Sequence, residues 1–285
     1  MIKNKGLIKE AIVTYLIFIF ILTFTISYVI AVNPPDTLSY VQNTFSKAPE
    51  LGSTGDFKTN LFTGAAIFDF PIKIPEGTNK LTPELSLNYN SHNSKNRLNF
   101  LSPGWEFTEN YIQRDTNNTI NESKTLDDEF ILNLEGNVYD LVFSSNDSKY
   151  HTKTESFLRI ENVSTSNNTN LIYWRVTKKD GTIYVFGAKT SSEMIASIAN
   201  NYTWRWYLDL IEDTHGNIIK YNYVENPYTN DQGVTYLNNT EYNTDLKRNI
   251  TFIYEALDRP DKTTLYDNGH NISISRRLKE INIFS

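Results

Sequence analysis

The chain has 285 residues, a formal net charge of −6, 39% apolar residues and no cysteine. The missing thiols exclude disulfides, zinc–thiolate sites and thiol nucleophiles. The acidic balance, with charges scattered rather than blocked, excludes the basic stripe of a nucleic-acid binder. Tyr (18) and Phe (16) are used heavily beside many Ile, Thr and Val, residues that fit a pleated, half-buried surface, so the composition points to sheet.

Lys3, Lys5 and Lys9 precede an apolar run from Ala11 to Ala31, and Pro34 and Pro35 end any helix there. Val29-Ile30-Ala31 carries the modest side chains that a signal peptidase reads, so cleavage after Ala31 is expected. A run of about twenty residues is also long enough to stay as an uncleaved anchor. Both readings place the remainder outside the cytoplasm, secreted or held at the cell surface. Residues 11–31 are then the only expected contact with a membrane. The division expected is 1–31 signal peptide or anchor, 32–52 a proline-bearing linker, and 53–285 one β domain. Nine Asn-x-Ser/Thr sequons follow, at Asn117, Asn121, Asn146, Asn162, Asn167, Asn201, Asn238, Asn249 and Asn271. They are little more than the composition alone produces, and they permit glycosylation of an exported surface without showing it.

From Ser53 onward the hydrophobic period is two. Ala66, Phe68, Phe70, Ile72 and Ile74 alternate with Ile67, Asp69, Pro71 and Lys73, an amphipathic strand whose proline suggests an edge. Leu85, Leu87 and Tyr89 alternate in the same way, and so do Phe130, Leu132 and Leu134. Glu135-Gly136-Asn137 then turns the chain into a strand over 138–143. Trp174 and Val176 lead through Lys179-Asp180-Gly181 to Ile183–Phe186, with Asp-Gly as a hairpin signal. The run Trp206–Ile211 passes through His215-Gly216-Asn217 into 218–224. Strands over 250–254, 263–266 and 271–274 follow, with Asp267-Asn268-Gly269 as a turn. Only Ser191–Ala199 reads as helical, and the Asn-rich stretches 115–124, 161–170 and 226–245 read as loops. The expectation is an all-β, antiparallel, multi-stranded or sandwich-like scaffold of ten to twelve short strands.

Several of these segments carry a resemblance. Thr63-Gly64-Ala65 through Phe70-Pro71-Ile72 and Ile74-Pro75-Glu76-Gly77, then Pro83-Glu84-Leu85-Ser86-Leu87-Asn88-Tyr89-Asn90-Ser91, resemble the opening of the N-terminal domain of the SpvB and insecticidal toxin-complex B-subunit family. Gly104-Trp105 and Ile112-Gln113-Arg114 match the glycine–tryptophan pair and the "I-x-R" beyond it. Trp206-Tyr207-Leu208 with Ile211, Asp213, Gly216-Asn217 and Tyr221-Asn222-Tyr223 is similar to the family's strand–turn–strand segment. Arg259-Pro260-Asp261 and Arg276-Arg277-Leu278-Lys279-Glu280-Ile281 resemble its close. The matches keep family order over about 220 residues. One departure is Leu101-Ser102-Pro103 where the family has glycines, which implies a stiffer loop before Gly104. The resemblance also implies a shortened form, since family members continue into further β-rich modules that enclose a toxic cargo.

The chemistry read from the residues is sparse. His92, His151, His215 and His270 lie far apart in turn-like settings, where histidines are usually solvated. Asp213-Thr214-His215 looks like an acid–base pair and is better explained as Asp213 holding a turn through its side chain. Asp127-Asp128-Glu129 lacks calcium-loop spacing and reads as a solvated face. Two aromatic groups, Tyr173 with Trp174 and Tyr202, Trp204, Trp206 with Tyr207, read as core rather than as exposed platforms. Some relatives carry an ADP-ribosyltransferase domain at the far C-terminus, an activity expected to need a Glu-x-Glu pair, and no two glutamates here stand two residues apart. No catalytic, cofactor-binding or metal-binding residue is therefore assigned, and no cofactor or nucleic acid is expected. The function expected is a secreted, non-enzymatic β-scaffold that binds another polypeptide; the alternative is a carbohydrate-binding or surface-adhesion domain. The partner is expected at the C-terminal edge, where Ile281 and Ile283 alternate as a strand does, Leu278 falls out of phase, and an open strand invites pairing.

Overall fold

In the computed structural model, residues 55–95, 99–115, 129–165, 168–195, 203–243, 245–262, 264–267 and 270–285 are described. The expected export segment and linker fall outside them, as do Asn117, Asn121, Asn167, Asn201, Tyr202, Asp127 and Asp128.

The first sheet is antiparallel, with β1 (Asp56–Thr59), β2 (Ala66–Pro71), β3 (Ser86–Asn90) and β4 (Trp105–Phe107) in that order. β2, expected at an edge, is flanked on both sides. Its partner β1 stops opposite Asp69, so Pro71, which has no amide to donate, pairs only with β3. At the β1–β2 turn, Asn60 Oδ1 accepts from the amides of Phe62 (3.0 Å) and Thr63 (3.1 Å). Leu61 and Phe62 are left at the tip, each 97% exposed. Before β4, Gly104 has φ +83°, and a Cβ there would lie 2.7 Å from the Tyr89 ring; the close approach lets Trp105 pack on Tyr89 at 5.3 Å.

The second sheet begins as a meander in which each strand is antiparallel to the one before. Its members are β5 (Tyr111–Asp115), β6 (Glu129–Leu134), β7 (Asn137–Ser144), β8 (Lys149–Thr152), β9 (Arg159–Thr165), β10 (Asn168–Thr177) and β11 (Ile183–Phe186). A short β12 (Glu193–Ile195) precedes the long β13 (Thr203–Glu212). β13 serves four partners: β5 opposite Arg205–Tyr207, β12 opposite Thr203–Trp206, β11 opposite Leu208–Glu212 and β14 (Ile218–Glu225) opposite Leu210–Glu212. Because β13 joins both ends of the meander, β5 to β11 and β13 close into an eight-stranded barrel. Outward from β13 run β14, β15 (Thr235–Tyr242) and β16 (Arg248–Tyr254). After a separate ribbon of β17 (Thr264–Asp267) and β18 (His270–Ser273), the last strand β19 (Leu278–Phe284) pairs with β16 and ends the sheet.

Side-chain alternation fills this barrel. On β6, Phe130, Leu132 and Leu134 are buried while Ile131 and Asn133 face out. Ile112, Leu132, Trp174, Val176, Phe186 and Trp206 are at most 2% exposed. Phe130 meets Trp174 at 4.9 Å and Trp174 meets Trp206 at 5.8 Å. Gly187 admits this packing, since a Cβ at its φ of +69° would lie 2.1 Å from the Trp206 ring. Eight strands leave an interior just wide enough for their own side chains, so this one is core rather than lumen. Each such side chain contributes about 1.5–3 kcal/mol. A second cluster, with Phe100, Met194, Trp204, Tyr207, Tyr236 and Ile272, lies on the other side of β13.

The antiparallel all-β class expected from the sequence is what the chain builds, with more strands than the expected ten to twelve. Three local expectations are corrected. Stretches 161–170 and 226–245 are not loops throughout: they carry β9, the start of β10, and β15. Asn162 and Asn238 stand exposed and Asn239 half-buried on these strands, where polar residues are tolerated, while Thr235 and Thr240 are buried. Ser191–Ile195 is not helical; a 3-10 turn over Thr190–Ser192 leads into β12, and Met194 is buried beneath the Tyr207 hydroxyl at 3.1 Å. Pairing with β13 overrides a weak helical preference. At β19, Ile253 opposes Glu280 while Tyr254 opposes Leu278, so a bulge at Lys279 restores Leu278 to the core face that it leaves in strict alternation. Among the described residues no helix is long and apolar enough to cross a membrane.

Candidate functional site

The residues singled out in the sequence are dispersed by the fold. His92 is exposed after β3, and His151 on β8 faces Asp147 at 2.9 Å on the surface. The side chain of His270 lies outside the described set. Asp213 holds the β13–β14 turn: its Oδ1 accepts from the amides of His215 and Asn217, both at 2.8 Å, and its Oδ2 from Asn217 Nδ2 (2.7 Å) and Asn79 Nδ2 (3.0 Å). Desolvation pushes this carboxyl up, but the combined hydrogen bonds outweigh it and hold Asp213 well below the usual carboxylate range. His215 Nδ1 stands 3.9 Å from it, too far for a hydrogen bond. The turn explanation is thus the one the geometry supports. Glu129 is exposed at the start of β6. Trp174 and Trp206 are barrel core, and Trp204 and Tyr207 belong to the second cluster.

Two buried carboxyls stand behind β13. Asp209 (2% exposed) is the extra residue where β13 bulges against β11, between Leu208 and Leu210. Its Oδ2 accepts from the Ser192 hydroxyl at 2.9 Å and from the Ala188 amide, which secures the turn that follows β11. Burial pushes Asp209 up to about 6. Glu193 (4% exposed), on β12, is likewise pushed up by burial, to about 7, against hydrogen bonds from Trp206 and Thr203.

The place where polar groups converge is a cleft of roughly 590 Å³ on the outer wall of the barrel. On one side stands β4 with the segment after it; on the other stand the outward faces of β5, β6 and β13. β4 brings Glu106, and the link to β5 brings Glu109. The outward alternation of β5 and β6 brings Tyr111, Gln113 and Asn133, and β13 brings Arg205. The Arg205 guanidinium lies 4.1 Å from the Tyr111 ring centroid and 4.7 Å from that of Trp204. Its Nε (3.0 Å) and Nη2 (2.5 Å) donate to Gln113 Oε1, and its Nη1 donates to the Tyr207 hydroxyl at 3.3 Å. Glu109 is the nearest carboxylate, 4.0 Å away. Burial raises the affinity of Glu109 for its proton, and Arg205 offsets part of that rise. Glu106 is raised by burial too, against a hydrogen bond from Asn93 at 3.4 Å. Sequence reasoning missed this site because its charges come from three segments without a motif. The one local signal was Arg205 set between Trp204 and Trp206, a fixed charge in an aromatic strand.

A family model described as Salmonella virulence plasmid 65kDa B protein, SpvB, matches residues 60–256. No curated protein matches the chain. A solved structure of the Photorhabdus luminescens Tc holotoxin pore is similar at 17% identity and a TM-score of 0.64, over 80% of this chain and 13% of that one. A TcdB2–TccC3 crystal structure is similar at 17% identity and a TM-score of 0.64, over 80% of this chain and 14% of that one. The N-terminal domain of the effector protein SpvB from Salmonella typhimurium strain LT2 is similar at 18% identity and a TM-score of 0.59, over 74% of this chain and 86% of that domain. The chain therefore spans only a small part of the Tc chains it matches, and likeness at such identities shows a shared fold. With the family model matching well over half of its residues, and with the fold agreeing, the chain belongs to the SpvB family.

Proposed function

We propose that this toxin-related β module is an exported, non-catalytic scaffold that joins another polypeptide along the open edge of β19. The observation that carries the reading is the asymmetry of the main sheet. Its barrel part has no free edge, whereas β19 has a strand on one side only among the described residues. Ile281 and Ile283 pack against the main core and hold β19 in strand geometry, and Phe284 projects at 56% exposure. A fixed, half-exposed strand offers its outer amides and carbonyls for β-addition. The structural relatives supply context, since Tc assemblies contain several chains.

The test is light scattering over a concentration series together with amide exchange of residues 278–284. Concentration-dependent association, or binding of a co-expressed β module, with protection across β19 is the expected result. A strictly monomeric chain whose residues 278–284 exchange rapidly would overturn it. N-terminal sequencing of material recovered outside the cell tests export, with a start near Val32 expected.

A further inference from the structure

Three groups facing the cleft outside the barrel are short of partners, and all three are acceptors. Asn133 Oδ1 is buried without a hydrogen-bond partner. Glu106 receives a long hydrogen bond of 3.4 Å from Asn93. Glu109 has its nearest cation at 4.0 Å, beyond hydrogen-bond reach. Arg205, the resident cation, is turned away from this deficit. Its donors go to Gln113 and Tyr207, and its flat face is held against Tyr111 and Trp204. Burial raises both glutamates, Glu109 even though Arg205 offsets part of the rise, which fits carboxylates whose charge is incompletely compensated. What such a site needs is a ligand that brings several donors and a positive charge.

We infer that this cleft receives the cationic side chain, arginine or lysine, of a bound polypeptide. The inference rests on the proposed role in holding another chain and adds the chemistry by which that chain is recognised. A guanidinium carries five donors and an ammonium three, enough to serve Glu106, Glu109 and Asn133 together. The apolar stem of either side chain packs on the aromatic wall of Phe107 and Tyr111 while its head meets the acids. The volume of about 590 Å³ exceeds one basic side chain and leaves room for flanking backbone, which favours a peptide over a small free amine. β4, which carries Glu106, is the last strand of its sheet and forms one bank of the cleft. The net charge of −6 favours a basic partner at longer range.

The experiment uses the full chain in mild detergent with 5-fluorotryptophan at its four tryptophans, followed by fluorine NMR. Trp204 reports on the cleft, and Trp174 and Trp206 report on the barrel as internal controls. N-acetyl-arginine amide and N-acetyl-lysine amide are expected to shift the Trp204 signal saturably and leave the barrel signals in place. The neutral isostere N-acetyl-citrulline amide is expected to do nothing. Glu106→Gln with Glu109→Gln, which keeps shape and removes charge, should weaken the arginine response about tenfold or more while the barrel signals certify the fold. An equal response to citrulline, no saturable response to arginine, or unchanged affinity in the double variant would overturn the proposal. Tighter binding of spermidine than of acetyl-Gly-Arg-Gly-amide would give the site to free amines and overturn it as well. A monomeric chain with a frayed β19 would remove the proposed edge and leave these titrations as they are. Loss of arginine binding would remove the cleft's role and leave the edge untouched.

Discussion

The barrel and the outer wing of the same sheet are built from one strand and differ in how they end. Both leave β13, yet the barrel returns to it through β11, whereas β14, β15, β16 and β19 run outward and stop. The barrel encloses Trp174 and Phe186 with no measurable exposure, and each of its strands has a neighbour on both sides. The wing buries Ile219, Tyr242, Ile250 and Phe252 on one face, but its last strand holds Ile281 and Ile283 only half-buried. Closure makes the barrel self-sufficient, and the wing keeps an edge available for another chain.

The largest effect expected from breaking this contrast is at the barrel centre. Trp174→Ala should cost about 3–5 kcal/mol of unfolding free energy, whereas Ile283→Ala on the wing should cost only about 1–2 kcal/mol. Urea unfolding followed by fluorescence measures both, and a larger loss at Ile283 would reverse the comparison. Next comes acidity. Glu193 and Asp209 titrate near 7 and 6 when folded, above their unfolded values, so the folded chain binds more protons between about pH 4 and 7. Stability therefore falls as pH rises through that window, by about 3 kcal/mol for each group at most. Melting temperature should rise on going from pH 7.5 to 5, and Glu193→Gln should flatten the slope. Asp213 works in the opposite sense: it lies below its unfolded value, so its contribution is present at neutral pH and lost only below about pH 4. A melting temperature that climbs steadily toward neutral pH would refute the assignment.

Arg259→Ala tests how the loop before β4 is held beside the wing. Arg259 is 5% exposed; its Nη1 donates to Asn99 O (2.8 Å), its Nη2 to Leu101 O (3.2 Å), and it also pairs with Asp261. Its loss should cost about 1.5–2 kcal/mol in the same unfolding experiment, and no change would mean that the loop is held by packing alone. The smallest effect is expected at the β1–β2 tip, where Leu61→Ser and Phe62→Ser should stay within about 0.5 kcal/mol of the parent, because almost none of either side chain is buried. A larger fall in melting temperature would show that the tip packs against something.

Strand by strand, much of the fold was legible. Phe130, Leu132 and Leu134 alternate in the sequence and point inward in the structure, and Asp180-Gly181 and Gly216-Asn217 lie at the turns they signal. Motifs read only as resemblance acquire causes. Ile112-Gln113-Arg114 places Ile112 in the core, Gln113 outside against Arg205, and Arg114 inside over the Phe130 ring at 5.3 Å. Arg259-Pro260-Asp261 is the clamp on Asn99 and Leu101. Barrel closure was not legible, because it depends on Arg205–Tyr207 finding Tyr111–Gln113 more than ninety residues earlier, and alternation says nothing about which strands pair. β15 was missed because Asn238 and Asn239 interrupt its alternation: the bulge opposite Asn222 and Tyr223 sends Tyr236 to the second cluster and Tyr242 to the main core. The cleft was missed for a related reason: Glu106, Glu109, Asn133 and Arg205 meet only once those distant strands have paired.

That dependence on β13 also orders events in time. A chain made from its N-terminus exposes β5 through β11 before the strand that closes them exists, and about a hundred residues must wait for Thr203–Glu212. Until then the meander has two unsatisfied margins and an apolar concave face, and its final pairing is long-range, which is slow. Closure of the barrel is therefore a late event, set by the arrival of one strand rather than by gradual growth along the chain. A polypeptide halted before residue 212 should be recognised by chaperones as unfinished, and one that has passed it can close without waiting for β19.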